Sequence, residues 1–136
     1  VMGSLQVPTI AIITGEGGSG GALALAMGNR VLMLENAYYS VISPESASII
    51  LYKNDQHAKE AAEALKITSR DLLEMHVIDE IIPEPLGGAH KDPKQMANLV
   101  KEALDRNLSI LKALSKEELV ASRYERFRVL GAINAQ

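Results

Sequence analysis

Val7 to Thr14 (VPTIAIIT) is an unbroken, β-branched apolar run that empties directly into Gly15–Gly21 (GEGGSGG), and no other stretch constrains the fold as tightly. A continuous apolar run of this length reads as a strand buried on both faces, the kind found in parallel sheets of α/β proteins. ALALAMG (Ala22–Gly28) follows as a small-residue helix that Gly28 is placed to close. Five glycines in the seven residues of GEGGSGG exceed what a tight strand-to-helix turn needs. They leave backbone N–H groups open to approach by atoms that a β-carbon would hold off.

The rest of the chain continues the α/β pattern. Arg30–Leu34 (RVLML) reads as a second strand and Tyr38–Ile42 (YYSVI) as a third, only three residues later. Ser43 caps the next helix with Pro44 at its first position and Glu45 behind it, and that helix carries Ala47, Ile49, Ile50 and Leu51. An Ala/Glu-rich helix is predicted at His57–Leu65, and Thr68 caps a short one through Leu72 and Leu73 with Asp71 at its third position. Val77–Ile82 is a short strand stopped by Pro83 and Pro85, before the irregular loop PEPLGGAHKDP. Asp92-Pro93 opens a long helix with Met96, Leu99, Val100, Ala103, Leu104, Leu108 and Leu111 at three-four spacing, a face suited to a core or to a subunit contact. Ser115 and Glu118 form a capping box for a last helix bearing Val120, Tyr124 and Phe127. The sequence shows no internal repeat.

At 136 residues the chain is expected to form one domain, 1–136, with 92–131 as a peripheral helical region. Lys and Arg number 14 against 17 Asp and Glu, a net charge of −3, and only Phe127 and four tyrosines are aromatic. Without a basic cluster or stacking platforms, nucleic acid is not the expected partner. The lack of cysteine removes disulfides, zinc–thiolate sites, iron–sulfur clusters and a thiol nucleophile. No metal is expected in this chain. No apolar run approaches the ~18 residues of a membrane span, and the Gly-rich start lacks the basic head of a signal peptide. A cytoplasmic location is expected, with no membrane contact. The abrupt entry into a strong strand suggests an N-terminal part of a longer protein outside this sequence.

Three patterns compete for the glycine segment. Gly15-Glu16-Gly17-Gly18-Ser19-Gly20 matches the dinucleotide fingerprint G-x-G-x-x-G, with Glu35 ending the next strand. Its helix is short for that motif, and Tyr38–Ile42 follows Glu35 too closely for a parallel crossover between neighbouring strands. Gly17-Gly18-Ser19-Gly20-Gly21 matches the nucleophile elbow G-x-S-x-G, with Asp55 or Asp71 and His76 or His90 available in the right order. In the third reading the glycines are a backbone device, in which amides at a helix start stabilise a developing oxyanion. The plain alternative is a tight turn packed against a neighbour.

Taken together, VPTIAIITGEGGSGGALALA, VLMLENAYYSVISPE, IIPEPLGGAH and the C-terminal RYERFRVLG resemble the α subunit of bacterial acetyl-CoA carboxylase carboxyltransferase. The resemblance runs to about Gly131 and covers the C-terminal part of that family's longer chain. It implies a crotonase-like (ClpP/crotonase) α/β fold, a spiral of β-β-α turns with C-terminal helices, in which Arg30–Leu34 and Tyr38–Ile42 belong to successive turns. It also implies transfer of a carboxyl group from carboxybiotin, borne by a biotin carboxyl carrier protein, to acetyl-CoA. The product, malonyl-CoA, feeds fatty acid biosynthesis. The implied partner is a zinc-ribbon β subunit in an α2β2 heterotetramer.

By the same resemblance the amides of Gly20 and Gly21 are the catalytic groups that hold the biotin ureido oxygen. Gly17, Gly18 and Ser19 shape that pocket, and Ser43 and Pro44 form a second wall. Ser46 stands where the family usually has Gly, and Tyr52 where Trp is common, which bears on ligand contact by the second wall. Two alternatives stand beside this reading: a non-catalytic assembly fragment of the same complex, and a CoA-thioester hydratase or isomerase on the same fold. His57 and His76 read as surface or interface residues and His90 as a loop-packing one.

Overall fold

The computed structural model describes residues 1–131, so the expected span 1–136 runs five residues past it. Two successive strand–strand–helix units open the chain. The first is β1 (Ile10–Ile13), β2 (Glu16–Gly18) and α1 (Ser19–Leu25); the second is β3 (Arg30–Leu34), β4 (Tyr38–Ser40) and α2 (Pro44–Tyr52). α3 (Ala58–Leu65), α4 (Ser69–Glu74), β5 (Glu80–Ile82), α5 (Pro93–Lys112) and α6 (Lys116–Val129) follow.

Equivalent strands of the two units pair with one another and all pairs are parallel. β1 lies beside β3 (Ile10 opposite Arg30) and β3 beside β5 (Leu32 opposite Glu80), giving a sheet in the order β1-β3-β5. β2 pairs with β4 in a separate two-stranded sheet, with Glu16 opposite Tyr38 and Gly18 opposite Ser40. The close succession of β3 and β4 is thereby explained, because they belong to different sheets.

The middle strand β3 is covered on both faces, which is why Val31, Leu32, Met33 and Leu34 are all buried in a row. The expectation of equal burial for Val7–Thr14 fails: the strand is Ile10–Ile13, its residues are half-buried, and Val7 is exposed. Among the described residues β1 is an outer strand, paired with β3 on one edge. Tyr38–Ile42 and Val77–Ile82 likewise shorten to Tyr38–Ser40 and Glu80–Ile82. Part of the glycine segment, Glu16–Gly18, is strand rather than turn.

Side-chain caps fall where the sequence places them. Ser43 Oγ accepts from Ser46 N at 3.2 Å, Thr68 Oγ1 from Asp71 N at 3.3 Å, and Asp92 Oδ1 from Gln95 N at 2.9 Å. Ser115 and Glu118 close their capping box reciprocally. Gly28 does not close α1 in the left-handed region; Ala26 is the cap. Its role is steric, since a β-carbon there would stand 3.0 Å from the Thr9 carbonyl oxygen and 3.1 Å from that of Arg30.

The α5 stripe serves the core, with Met96 and Ala103 buried in it and Leu99 and Val100 against it. α6 departs from its expected face: Leu119 and Arg123 are buried, whereas Tyr124 is exposed. Polar ties hold it instead. Arg126 binds the Asp79 carboxylate and the Val77 carbonyl, and Asn29 donates to the Leu119 carbonyl at 2.8 Å. Arg123 donates to the Met2 and Leu5 carbonyls, and burial lowers its pKa from the ordinary value. Among the described residues no helix is long and apolar enough to cross a membrane.

Candidate functional site

Parallel strands bring the starts of two helices to one place. β2 ends at Gly18 and runs straight into α1, while β4 ends at Ser40, three residues before the Ser43 cap of α2. Since Gly18 lies opposite Ser40 in register, both helices start at the same end of the β2/β4 sheet. Gly17–Gly21 and Ser43–Pro44 thus lie at the same end of that sheet.

The glycines do different work. A β-carbon on Gly17 would meet Tyr39 Cδ2 at 3.1 Å and Ile13 Cγ2 at 3.2 Å, so this glycine lets the core close beneath the turn. β-Carbons on Gly20 or Gly21 would meet no atom of the chain within 4 Å. The left-handed backbone is borne by Ser19, at φ 61°, and not by Gly20 or Gly21. Freedom from positive-φ strain is therefore not why the last two positions are glycine. What they offer is an approachable backbone at the first turn of α1, where the cap residue Gly18 contributes no side-chain hydrogen bond.

Sequence inspection missed the pair Glu16 and Tyr38. Opposite one another on adjacent strands, their side chains share a face with Gly18 and Ser40. Partial burial raises the Tyr38 phenol above its ordinary value, and the Glu16 and Glu45 carboxylates push it further the same way. The signal was hidden because Glu-Gly-Gly does not read as a strand. Also missed was Asn107, a buried polar residue on the apolar stripe of α5 that donates to Glu80 at 2.7 Å.

A left-handed serine between strand and helix is also what a nucleophile elbow has. The imidazoles are engaged elsewhere: His57 faces Glu60 at 3.6 Å and stacks on Tyr52, His76 borders a cleft with Asp79, and His90 packs by Gly88. Glu84 pins the loop that carries His90. Its carboxylate accepts from Asn36 N at 2.9 Å and Ala89 N at 2.7 Å. Burial works to raise the Glu84 pKa, yet these amides hold it below the ordinary value. Among the described residues no group of three His, Asp or Glu side chains is gathered to hold a metal ion.

A cleft of about 400 Å³ runs along β1 to the glycine turn, lined by Ala11–Gly18 and by α1. A larger one, about 650 Å³, lies between α6 and the first residues, away from the turn. The smaller cleft borders Gly15, Gly17 and Gly18, while Gly20, Gly21, Ser43 and Pro44 do not line it.

The family model described as acetyl co-enzyme A carboxylase carboxyltransferase-like matches residues 1–131. The chain belongs to that family. It is 59% identical over 131 residues to the acetyl-coenzyme A carboxylase carboxyl transferase subunit alpha of Thermus thermophilus, covering 96% of this chain and 42% of that one. The subunit from Carboxydothermus hydrogenoformans is 57% identical over 129 residues, covering 95% and 40%. The chain thus spans about two-fifths of the length of the curated relatives it matches.

Solved structures bear on the fold. A Pseudomonas malonate decarboxylase hetero-tetramer in complex with coenzyme A superposes with TM-score 0.64 at 17% identity, over 93% of this chain and 47% of that one. A monofunctional enoyl CoA isomerase from M. smegmatis gives 0.54 at 16%, over 98% and 62%. The fold is crotonase-like, as the resemblance implied.

Proposed function

We propose that this chain supplies the glycine-turn half of a carboxyltransferase site, at which a carboxyl group passes from carboxybiotin on a carrier protein to acetyl-CoA. The observation that carries the reading is the open space at Gly20 and Gly21, where a planar group can lie directly on the backbone. Their amides, at the uncapped start of α1, donate to an oxygen as negative charge develops on it. Gly17 and Gly18 keep the turn flat, Ser19 sets its direction, and the Ser43–Pro44 helix start forms the facing wall. Biotin supplies the transferable carboxyl group and a ring nitrogen able to take the acetyl α-proton. The turn then needs no side-chain acid or base.

The remaining machinery belongs to partners in this reading: a β subunit with a zinc ribbon that holds the acyl-CoA, the biotin carboxyl carrier protein, and an α2β2 assembly in the cytoplasm. A second reading is an assembly fragment of the same complex that binds these partners without turnover. Reconstitution with a β subunit and biotinylated carrier separates the two. Malonyl-CoA is expected from the mixture and not from the chain alone. A mixture that assembles and stays inactive supports the second reading. Product from the chain alone refutes the division of labour.

A further inference from the structure

A single acid stands beside the bare glycine backbone. Gly17 faces the core, where a β-carbon would meet Tyr39 and Ile13, so Glu16 and Gly18 lie on the other face of β2. β-Carbons on Gly18, Gly20 and Gly21 would meet nothing within 4 Å, which leaves an open shelf over the strand end and the first turn of α1. Glu16 marks one end of it, two residues or ~6–7 Å along the strand from Gly18. Its side chain is exposed, and among the described residues no Lys, Arg or His pairs with it. Tyr38 lies opposite on β4, and its phenol is within reach of the Glu16 carboxylate. The shelf therefore offers donors at the amides of α1 and an acceptor at Glu16.

An acid is out of place if the turn only has to hold negative charge. It fits if the same ligand also presents a donor, and a cyclic urea does. Its carbonyl oxygen accepts, and in carboxybiotin one flanking nitrogen carries the carboxyl group while the other keeps its hydrogen. We infer that Glu16 accepts this remaining N–H, with Tyr38 holding the carboxylate in position, and so sets which edge of the ring faces acetyl-CoA. The inference rests on the proposed function. The glycine amides alone do not choose an edge, because the carbonyl lies midway between the two nitrogens. Glu16 chooses in two ways: it pairs with the N–H, and it repels the carboxylate that the reverse orientation would bring to it. The carboxyl-bearing nitrogen is then turned away from β2.

The test measures binding rather than turnover, in the enzyme assembled with its β subunit. The probes are biotin methyl ester and its analogue methylated on the nitrogen that never carries the carboxyl group. Wild type is expected to bind the parent ester at least ~10-fold more tightly in NMR titrations, as for loss of a charge-assisted hydrogen bond. Glu16→Ala should bind the two alike. Glu16→Gln, whose amide oxygen still accepts, should keep part of the preference, and Tyr38→Phe should lower it. Glu63→Gln, an exposed acid on α3, leaves it whole. A merely structural role for Glu16 would weaken both probes together and leave their ratio unchanged. Wild type binding both alike, or a ratio unmoved in Glu16→Ala, overturns the inference and leaves the glycine site standing. Undiminished binding of both esters after Gly20→Ala with Gly21→Ala counts instead against the glycine site. A parent ester that does not bind wild type overturns both.

Discussion

Replacing Gly20 and Gly21 together by alanine should make the chain more stable and the assembled enzyme slower. Both positions lie in α1, neither has a positive φ, and the added β-carbons meet nothing within 4 Å. Glycine in a helix is worse than alanine by roughly 0.5–1 kcal/mol, so the pair should gain up to about 1–2 kcal/mol. With an unfolding entropy of ~2.1 cal/mol/K per residue, a chain of this size shifts by about 3.5 °C per kcal/mol, so Tm should rise by ~3–7 °C. The same methyls would hold a planar ligand off the amides, and transfer should fall by about 10²-fold, the loss typical of one oxyanion donor. Gly28→Ala is the contrast, since its β-carbon presses on a carbonyl that accepts from Asn29 N at 2.8 Å. Strain of this kind costs ~1–3 kcal/mol, so here Tm should drop. Differential scanning calorimetry and malonyl-CoA production in the assembled enzyme read the two effects. A lower Tm in the double variant would refute the packing argument, and undiminished transfer with normal assembly would refute the site.

Glu84→Gln should cost ~1–2 kcal/mol at pH 7 by weakening two charge-assisted bonds from Asn36 and Ala89. Because the folded pKa is depressed, that stability is present above the unfolded value near ~4.3 and is lost as pH falls through the lower folded one. Urea titrations of both proteins should therefore converge in acid, and a gap that persists there contradicts the assignment. Arg123→Met should free the Met2 and Leu5 carbonyls and speed amide exchange across residues 2–5, with a stability loss of about 1–3 kcal/mol; unchanged exchange there would show that the clamp is not what holds the segment. Ser19→Ala should retain most carboxyl transfer, whereas a hydrolase elbow requires a dead enzyme; Ser19→Gly should add up to ~1 kcal/mol by relieving the left-handed backbone.

Much of this was readable beforehand because its causes are local. Caps at Ser43, Thr68, Asp92 and Ser115 depend on a few adjacent residues, and the α5 stripe on a simple period. The glycine segment stood out for the same reason. What escaped depends on partners distant in sequence. β2 is strand only because β4 lies beside it, so the two-unit repeat was invisible in the residues and was supplied by family resemblance alone. The half-burial of β1 follows from its outer position, which no property of IAII reveals. Arg123 is buried on a largely polar helix only because the carbonyls of Met2 and Leu5, at the other end of the sequence, give it a seat.

The ladder of equivalent strands also says where the chain has room to grow. One circuit of the coil, from Ile10 to Arg30, takes 20 positions, whereas the next, from Leu32 to Glu80, takes 48 and still lands in register. The extra length is spent outside the sheet, mainly on α3 and α4, which have no counterpart in the first circuit. A coil that absorbs so long a detour without slipping a rung is insensitive to what is spliced into it, so the exposed bend at 53–56 is a natural place to graft an affinity tag or a fluorescent reporter. Such a graft would leave the strands, and the glycine backbone they aim, where they are.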